Sequence, residues 1–529
     1  MPTSPGARRA TISLTLLVAC TALLAAACTS SGKPAATKPV TIVNPNAATP
    51  SGSWPYPNAD LANTRQAPDS VISAANVGQL QQAWSFRVTS KPDGGVGSLA
   101  MSPVVVGGVV YLQDMQANVY ALTLATGKLR WEYRVNTQEL GGPGPDGVTV
   151  TGGRVYGDAP HTAFALNAAT GKPVWVDRTL LTSGEGAFDI QPQASSGRVY
   201  LASSLGSGPG GGILLALNAA TGKVIWKFST MLPAASGVRT DQVGAGGAWE
   251  PPLVGADGSV TFGTGNPYIT AASAIAHPQP LLYSDSEVNL DAATGKLRWY
   301  YQAVPDDFQD HDLQTSPIAA DVNGTAAVIA AGKMGYVYAI NARTGALLWK
   351  SPVGDHNGHD NDSALAMQHK LHLTAPFTIE PGELGGVLSN PAVAGGTVYV
   401  STVDEPIVYA KLSSVLGSGI PHPPTGDFEA LNLATGAVKW DVKLPQMALG
   451  GATVANNLVF TTLYSGELIA MNTATGAIVY RHQLPASTNA PLVVAGNMVL
   501  VSAGAPFTGP PLTSAKGGTT AQIVAYTVR

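Results

Sequence analysis

Short runs of alternating apolar and polar residues, each broken by a small turn, dominate this chain. SPVVVGGVVYLQD (Ser102–Asp114), VTVTGGRVYGD (Val148–Asp158), SSGRVYLASS (Ser195–Ser204), NPAVAGGTVYVST (Asn390–Thr402) and GATVANNLVFTTL (Gly451–Leu463) share one plan. Two β-branched stretches flank a Gly-Gly, Ser-Gly or Asn-Asn pair, the pattern of a half-buried strand turning back on itself. Each run therefore predicts a β-hairpin.

A second pattern recurs between these hairpins. VYALTLATGKLRW (Val119–Trp131), AFALNAATGKPVW (Ala163–Trp175), LLALNAATGKVIW (Leu214–Trp226) and VNLDAATGKLRW (Val288–Trp299) are its first four copies. VYAINARTGALLW (Val337–Trp349), FEALNLATGAVKW (Phe428–Trp440) and LIAMNTATGAIVY (Leu468–Tyr480) complete the series. Each copy predicts a strand, a turn at Thr-Gly where glycine takes the positive φ a tight hairpin needs, and a returning strand. The aromatic always falls four residues after the glycine, Trp in six copies and Tyr480 in the last. A ring at a fixed place on every unit points to packing between units, because one unit cannot bury its own face.

Four short strands per unit, repeated radially, describe a β-propeller blade, so the chain is expected to be all-β. Seven units are explicit. An eighth is expected to be split, with AWSFRV (Ala83–Val88) closing against the C-terminal IVAYTVR (Ile523–Arg529) and removing the open sheet edges. The fold expected is an eight-bladed β-propeller over residues 54–529.

Charge narrows the partners. Charged residues are 12% of the 529 and the net charge is −4, with no clustered basic face for nucleic acid. The N-terminus changes the picture more. Arg8 and Arg9 precede an apolar stretch from Ile12 to Ala27 that ends LLAAAC at Cys28, followed by polar TSSGKPAATKP. This reads as a signal peptide, residues 1–28, with a lipoprotein-type cleavage site and Cys28 as the lipidated residue. LVAC at Cys20 is the rival site, set aside because apolar residues still follow it. Residues 29–53 lose hydrophobic patterning and are rich in Pro, Ala, Thr and Ser, a flexible tether. The expected address is the cell envelope outside the cytoplasm, anchored to a membrane by the N-terminal lipid. The two cysteines, Cys20 and Cys28, both lie in the signal segment. That leaves no CxxCH haem c motif and no disulfide in the propeller.

From Trp54 onward the chain resembles the quinoprotein alcohol dehydrogenases, eight-bladed propellers that hold pyrroloquinoline quinone (PQQ). WPYPNADLANTRQAPDSVISAANVGQLQQAWSF is similar to that family's opening, and the ATGxxxW repeat looks like its tryptophan-docking motif. The resemblance implies four site residues. Trp249 in GGAWEPP matches the indole on which the quinone stacks, and Asn266 in GTGNP matches an amide that coordinates calcium. Asp291 in NLDAATG matches the catalytic aspartate and second metal contact. Lys333 in AGKMGYVYAIN matches the cation beside the quinone oxygens. Asp291 also stands where other repeats carry Asn167, Asn218, Asn341, Asn432 and Asn472, which gives it a second reading as a turn cap.

The chain departs from the family at three places. The adjacent cysteine pair is replaced in ELGGPGPDGV (Glu139–Val148), the calcium-ligating glutamate has no counterpart in SSLGSGPGGGI (Ser203–Ile213), and a later tryptophan is replaced within PQMALGGA (Pro445–Ala452). Losing a carboxylate lowers the expected calcium affinity. Two further acidic clusters, Asp306–Asp312 and DHNGHDND (Asp355–Asp362), are expected on one face, the second with His356, His359, Asp360 and Asp362 as candidate metal ligands. The resemblance implies a dehydrogenase that oxidises an alcohol, polyol or sugar with PQQ and Ca²⁺ and passes electrons to an external acceptor. The alternative is a non-catalytic propeller lipoprotein that binds protein or polysaccharide. The same repeat occurs in such scaffolds, including the lipoprotein of the outer-membrane β-barrel assembly machinery, so the site residues and not the repeat must decide.

Overall fold

The computed structural model describes residues 52–90, 97–135, 147–206, 211–231, 246–506 and 518–528. The segment expected to be a signal peptide, with Cys20 and Cys28, and the expected tether up to residue 51 lie outside the described residues. So do most of the segment in place of the cysteine pair and part of Ser203–Ile213. Among the described residues no helix is long and apolar enough to cross a membrane.

Among the described residues, seven four-stranded antiparallel sheets and one five-stranded sheet form the eight blades. Blade 1 is the split one: Gln81–Arg87 pairs with Gln522–Thr527, which continues into Met498–Ala503 and Val493–Ala495. Its register runs from Gln81 opposite Thr527 to Arg87 opposite Gln522, so the N-terminal strand closes the ring on the C-terminal one as the apolar pattern predicts. Blades 2, 3 and 4 follow in order, each ending in a repeat copy, and their last strands are Leu129–Tyr133, Pro173–Asp177 and Val224–Ser229. Blade 5 comprises Leu253–Val254, Ser259–Gly263, Ser286–Asp291 and Leu297–Gln302; blade 6 comprises Ile318–Val322, Thr325–Gly332, Tyr336–Asn341 and Leu347–Pro352. Blades 7 and 8 start at Ala392 and Thr453.

The repeat's turn does more than reverse the chain. The glycines take φ between +65° (Gly127) and +75° (Gly222). Against each lies the tryptophan of the preceding blade. A Cβ placed on Gly127, Gly171, Gly222 or Gly295 would sit 2.5, 2.6, 2.7 and 2.6 Å from the rings of Trp84, Trp131, Trp175 and Trp226. The same holds for Gly345 under Trp299, Gly436 under Trp349 and Gly476 under Trp440. Each indole N–H then donates to a carbonyl of the same turn, as in Trp84 to Leu124 O at 2.8 Å and Trp440 to Thr473 O at 3.0 Å. The expected unit-to-unit ring packing is therefore an indole pressed on a bare backbone. The first ring of the series, Trp84, lies outside the repeat motif.

The N-terminal motif Asn63-Thr64-Arg65 explains how the centre is filled. Its segment bonds the innermost strands of several blades: Trp54 to Val105, Ala62 O to Ala319 N, Thr64 O to Val393 N, and Arg65 O to Val454 N. Arg65 is fully buried and donates to Ala452 O, Thr453 Oγ1, Leu492 O and Asn58 Oδ1. One extended segment that reaches the inner edges of blades 2, 6, 7, 8 and 1 must cross the propeller axis.

Candidate active site

The site forms where loops leave the inner strands of blades 5 and 6. Trp249 sits just before the first strand of blade 5, and Asn266 just after its second. Gly265 N bonds Gly247 O at 2.8 Å and Gly246 N bonds Asn266 O at 3.0 Å, which ties the two loops together. Gly265 is the contact point: a Cβ there would lie 2.7 Å from the Trp249 ring and 2.6 Å from Asp312 Oδ1. Only glycine lets the indole and that carboxylate approach so closely.

Asp310 and Asp312 come from the loop joining blades 5 and 6, and Lys333 from the turn after Thr325–Gly332. Asp312 Oδ1 accepts the Asn266 backbone N–H at 2.7 Å. Lys333 Nζ stands 2.7 Å from Asp312 Oδ2 and 2.8 Å from Asp310 Oδ2. Burial alone would push the ammonium's pKa down, but the two carboxylates hold it above the ordinary lysine value. Asp310 is raised well above the carboxylate range by burial, against the pull of Lys333.

Asp189, Ser204, Trp249, Asn266, Tyr268, Asp312 and Lys333 line a single cavity of about 170 Å³. Burial, with Asp310, Asp312 and Asp189 in that neighbourhood, raises the Tyr268 phenol. Apart from Asp312 Oδ2, whose contact is the Lys333 ion pair, three buried oxygens at the site have no hydrogen-bond partner among the described residues: Asn266 Oδ1, Asp310 Oδ1 and Asp189 Oδ1. Buried acceptors of this kind are rare unless something outside the protein chain completes them.

Trp249, Asn266 and Lys333 thus converge as expected. Asp291 does not, and its assignment as base and metal contact is corrected. It caps the repeat's turn at the blade edge, where its Oδ1 accepts Thr294 N at 2.9 Å and Thr294 Oγ1 at 2.8 Å. Its Oδ2 pairs with Arg298 at 3.0 Å. The Thr294 and Arg298 hydrogen bonds hold its pKa down to about 2. The turn-cap alternative is the one the structure contains, in the same geometry as Asn167 and Asn218. The carboxylates that line the cavity are Asp312, from a cluster the sequence flagged without a role, and Asp189, for which it carried no signal; Asp310, from the same cluster as Asp312, stands beside the cavity on Lys333.

The two acidic clusters do meet, with Gln309 Nε2 donating to His359 O at 3.4 Å. The Asp355–Asp362 loop spends its side chains internally: His356 Nδ1 lies 2.5 Å from Asp360 Oδ1 and His359 Nδ1 2.7 Å from Asp362 Oδ2. Asp355 turns instead toward Asp404 and Asp427, where Lys443 Nζ, 2.6 Å from Asp427 Oδ2, supplies the positive charge. The replaced tryptophan's segment places buried Met447 in a small apolar cluster with Val403 and Tyr464.

The family model for the β-propeller domain of glucose/ethanol/alcohol dehydrogenases matches residues 54–174 and 202–381. The model for outer membrane protein assembly factor BamB matches the shorter stretches 137–247 and 425–522. The dehydrogenase subunit of a quinone alcohol dehydrogenase from Gluconacetobacter polyoxogenes is 27% identical over 70% of this chain, and the match spans 56% of that relative's length. A quinoprotein ethanol dehydrogenase from Pseudomonas aeruginosa is 26% identical over 75% of this chain and 76% of its own. The crystal structure of a quinohemoprotein alcohol dehydrogenase from Comamonas testosteroni shares the fold, with a TM-score of 0.75 at 22% identity over 90% of this chain and 80% of that one. With the matched family model covering more than half of its residues, the chain belongs to the glucose/ethanol/alcohol dehydrogenase β-propeller family.

Proposed function

We propose that this protein is a PQQ-dependent dehydrogenase that oxidises an alcohol group, held outside the cytoplasm by a lipid on Cys28. One observation carries the reading: the Trp249 face, the free Asn266 Oδ1 and the Lys333 ammonium, clamped by Asp310 and Asp312, border one buried cavity. A flat quinone fits against the indole, and the free oxygens fit a hard divalent cation such as Ca²⁺, which takes only oxygen ligands. When bound, PQQ supplies a two-electron oxidant.

The chain's own groups have separable tasks. Trp249 gives the flat surface that fixes orientation. Lys333, charged and desolvated, stabilises negative charge that grows beside it during reduction. Asp312 has both oxygens engaged, one by Asn266 N–H and one by Lys333. Asp310 keeps Oδ1 open, and the Lys333 ion pair favours its ionised form against burial, so ionised Asp310 is the carboxylate that takes the substrate's hydroxyl proton. Asn266 Oδ1 is a ready metal ligand. The electrons taken up by the cofactor would leave for a separate acceptor.

Titrating the purified protein with PQQ and Ca²⁺, while following tryptophan fluorescence, tests this. Saturable, calcium-dependent quenching that is lost in Asn266→Ala is expected. With an artificial electron acceptor, alcohol oxidation should vanish in Asp310→Asn and persist in Asp291→Asn. Absence of binding at high cofactor concentration, or loss of activity in Asp291→Asn alone, refutes the reading. The former outcome leaves a binding scaffold, the function class of the assembly-factor model that matches two stretches of the chain.

A further inference from the structure

The segment Ser203–Ile213 lacks the acid that the family resemblance calls for, yet the structure brings one to its start. Ala187–Phe188 is a two-residue strand that pairs with the end of Arg198–Ser204, Ala187 opposite Ser204 and Phe188 opposite Ser203. That pairing sets the next residue, Asp189, beside the opening of the segment, where Ser204 Oγ donates to its Oδ2 at 2.5 Å. Its other oxygen has no hydrogen-bond partner among the described residues, although the side chain is 4% exposed and lines the cavity. Asn266 Oδ1, on the same cavity, is 3% exposed and equally unpartnered. Behind Asp189 stands Asp158, on the second strand of blade 3, with no exposure and neither carboxylate oxygen hydrogen-bonded among the described residues. Among the described residues neither carboxylate forms an ion pair, and Lys333 is committed to Asp310 and Asp312.

We infer that Asp189 supplies the missing carboxylate ligand, so that Asp189 Oδ1 and Asn266 Oδ1 hold a divalent cation, with the buried Asp158 carboxyl standing behind Asp189 as a supporting group. The ligand comes from across a strand pair and not from the loop where the family pattern would place it. Ser204 fixes the carboxylate's rotation by engaging Oδ2, which leaves Oδ1 turned to the cavity. The inference rests on the reading of this cavity as a cofactor site, and it concerns which residue completes the metal.

Calorimetric titration of the cofactor-free full chain with Ca²⁺ alone tests it, with Tb³⁺ luminescence sensitised by Trp249 as a second readout. Asp189→Asn keeps the side chain's shape and is expected to weaken Ca²⁺ binding by about 100-fold, since a ligand charge is lost. Asp158→Asn is expected to weaken it by about 10-fold, as for groups that act on a ligand from behind. Circular dichroism confirms folding, and if Asp189→Asn does not fold, Asp158→Asn carries the test alone. Unchanged affinity in the folded variants, with Asn266→Ala still weakened, overturns Asp189 as ligand and leaves the dehydrogenase reading standing. No Ca²⁺ or Tb³⁺ binding by the parent chain overturns both the inference and the metal part of that reading.

Discussion

Lys333→Met removes the one cation among the described residues that contacts the carboxylates at the cavity, and its cost follows from the contacts. Two ion pairs, at 2.8 and 2.7 Å, end on a side chain that is 10% exposed, and their carboxylates are 9% and 0% exposed. Methionine has similar length, so packing changes little and the loss is electrostatic. Asp312 keeps the Asn266 N–H, but Asp310 loses its only side-chain hydrogen-bond partner among the described residues while its other oxygen is already bare. Stripping one partner from a buried pair costs about 3–5 kcal/mol, chiefly through the charge left behind. Urea unfolding should show the unfolding free energy fall by that amount, through a lower midpoint with an unchanged slope. Adding Asp310→Asn to Lys333→Met should restore part of the loss, giving a coupling of at least about 1 kcal/mol in the double-mutant cycle. Ligand binding should move in opposite directions: Ca²⁺ binds more tightly to the more negative cavity, and the polyanionic PQQ binds more weakly. A cost below about 1 kcal/mol, an additive cycle, or the same sign of change for both ligands refutes this account.

Two further predictions concern the scaffold. Gly222→Ala places a methyl 2.7 Å from the Trp175 ring at φ +75°, so it should cost about 2–3 kcal/mol from backbone strain and the displaced indole hydrogen bond. In a Trp175→Phe background the clash is relieved and thermal or chemical unfolding should register only about 1 kcal/mol, the backbone share. Glu250, next to Trp249, is pushed up to about 7 by burial, with Asn390 and Arg65 opposing. The folded state therefore keeps a proton that the unfolded chain releases near pH 4.5, and stability declines as pH rises from about 4.5 to 7. Glu250→Gln lacks that decline, so between pH 4.5 and 8 its stability should gain about 3 kcal/mol relative to the parent in paired unfolding titrations.

The fold was legible because the propeller is periodic. Each repeat copy carries its strand, its turn glycine and its docking ring within about 13 residues, and the terminal strands of blade 1 show the same alternation. Trp84 was harder to see, since it docks on Gly127 without a Thr-Gly turn of its own. At the site, Trp249, Asn266 and Lys333 were legible through motifs whose spacing survives. Asp291 misled for a physical reason: Asn and Asp serve equally as turn caps, so an acid within the repeat looked unusual when its geometry was not. Asp189 was hidden because its approach depends on a two-residue strand pairing with Ser203 and Ser204, a contact that leaves no periodic trace.

The scaffold itself dictates where chemistry can lie. In seven of the blade interfaces the Thr-Gly turn holds a tryptophan from the preceding blade, so its backbone and capping side chains are already committed. An aspartate placed there, such as Asp291, has its oxygens spent on the turn and on Arg298. Inner strands are committed as well, to the crossing segment that carries Arg65. What remains free to vary are the loops that leave the inner strands, and those around blades 5 and 6 hold every charged group at the cavity except Asp189. Asp189 reaches it from blade 4 through the same kind of loop. A repeated architecture therefore confines a candidate site to its least repetitive segments, and an acid that breaks the repeat inside a turn is weaker evidence for catalysis than one that stands outside the repeat.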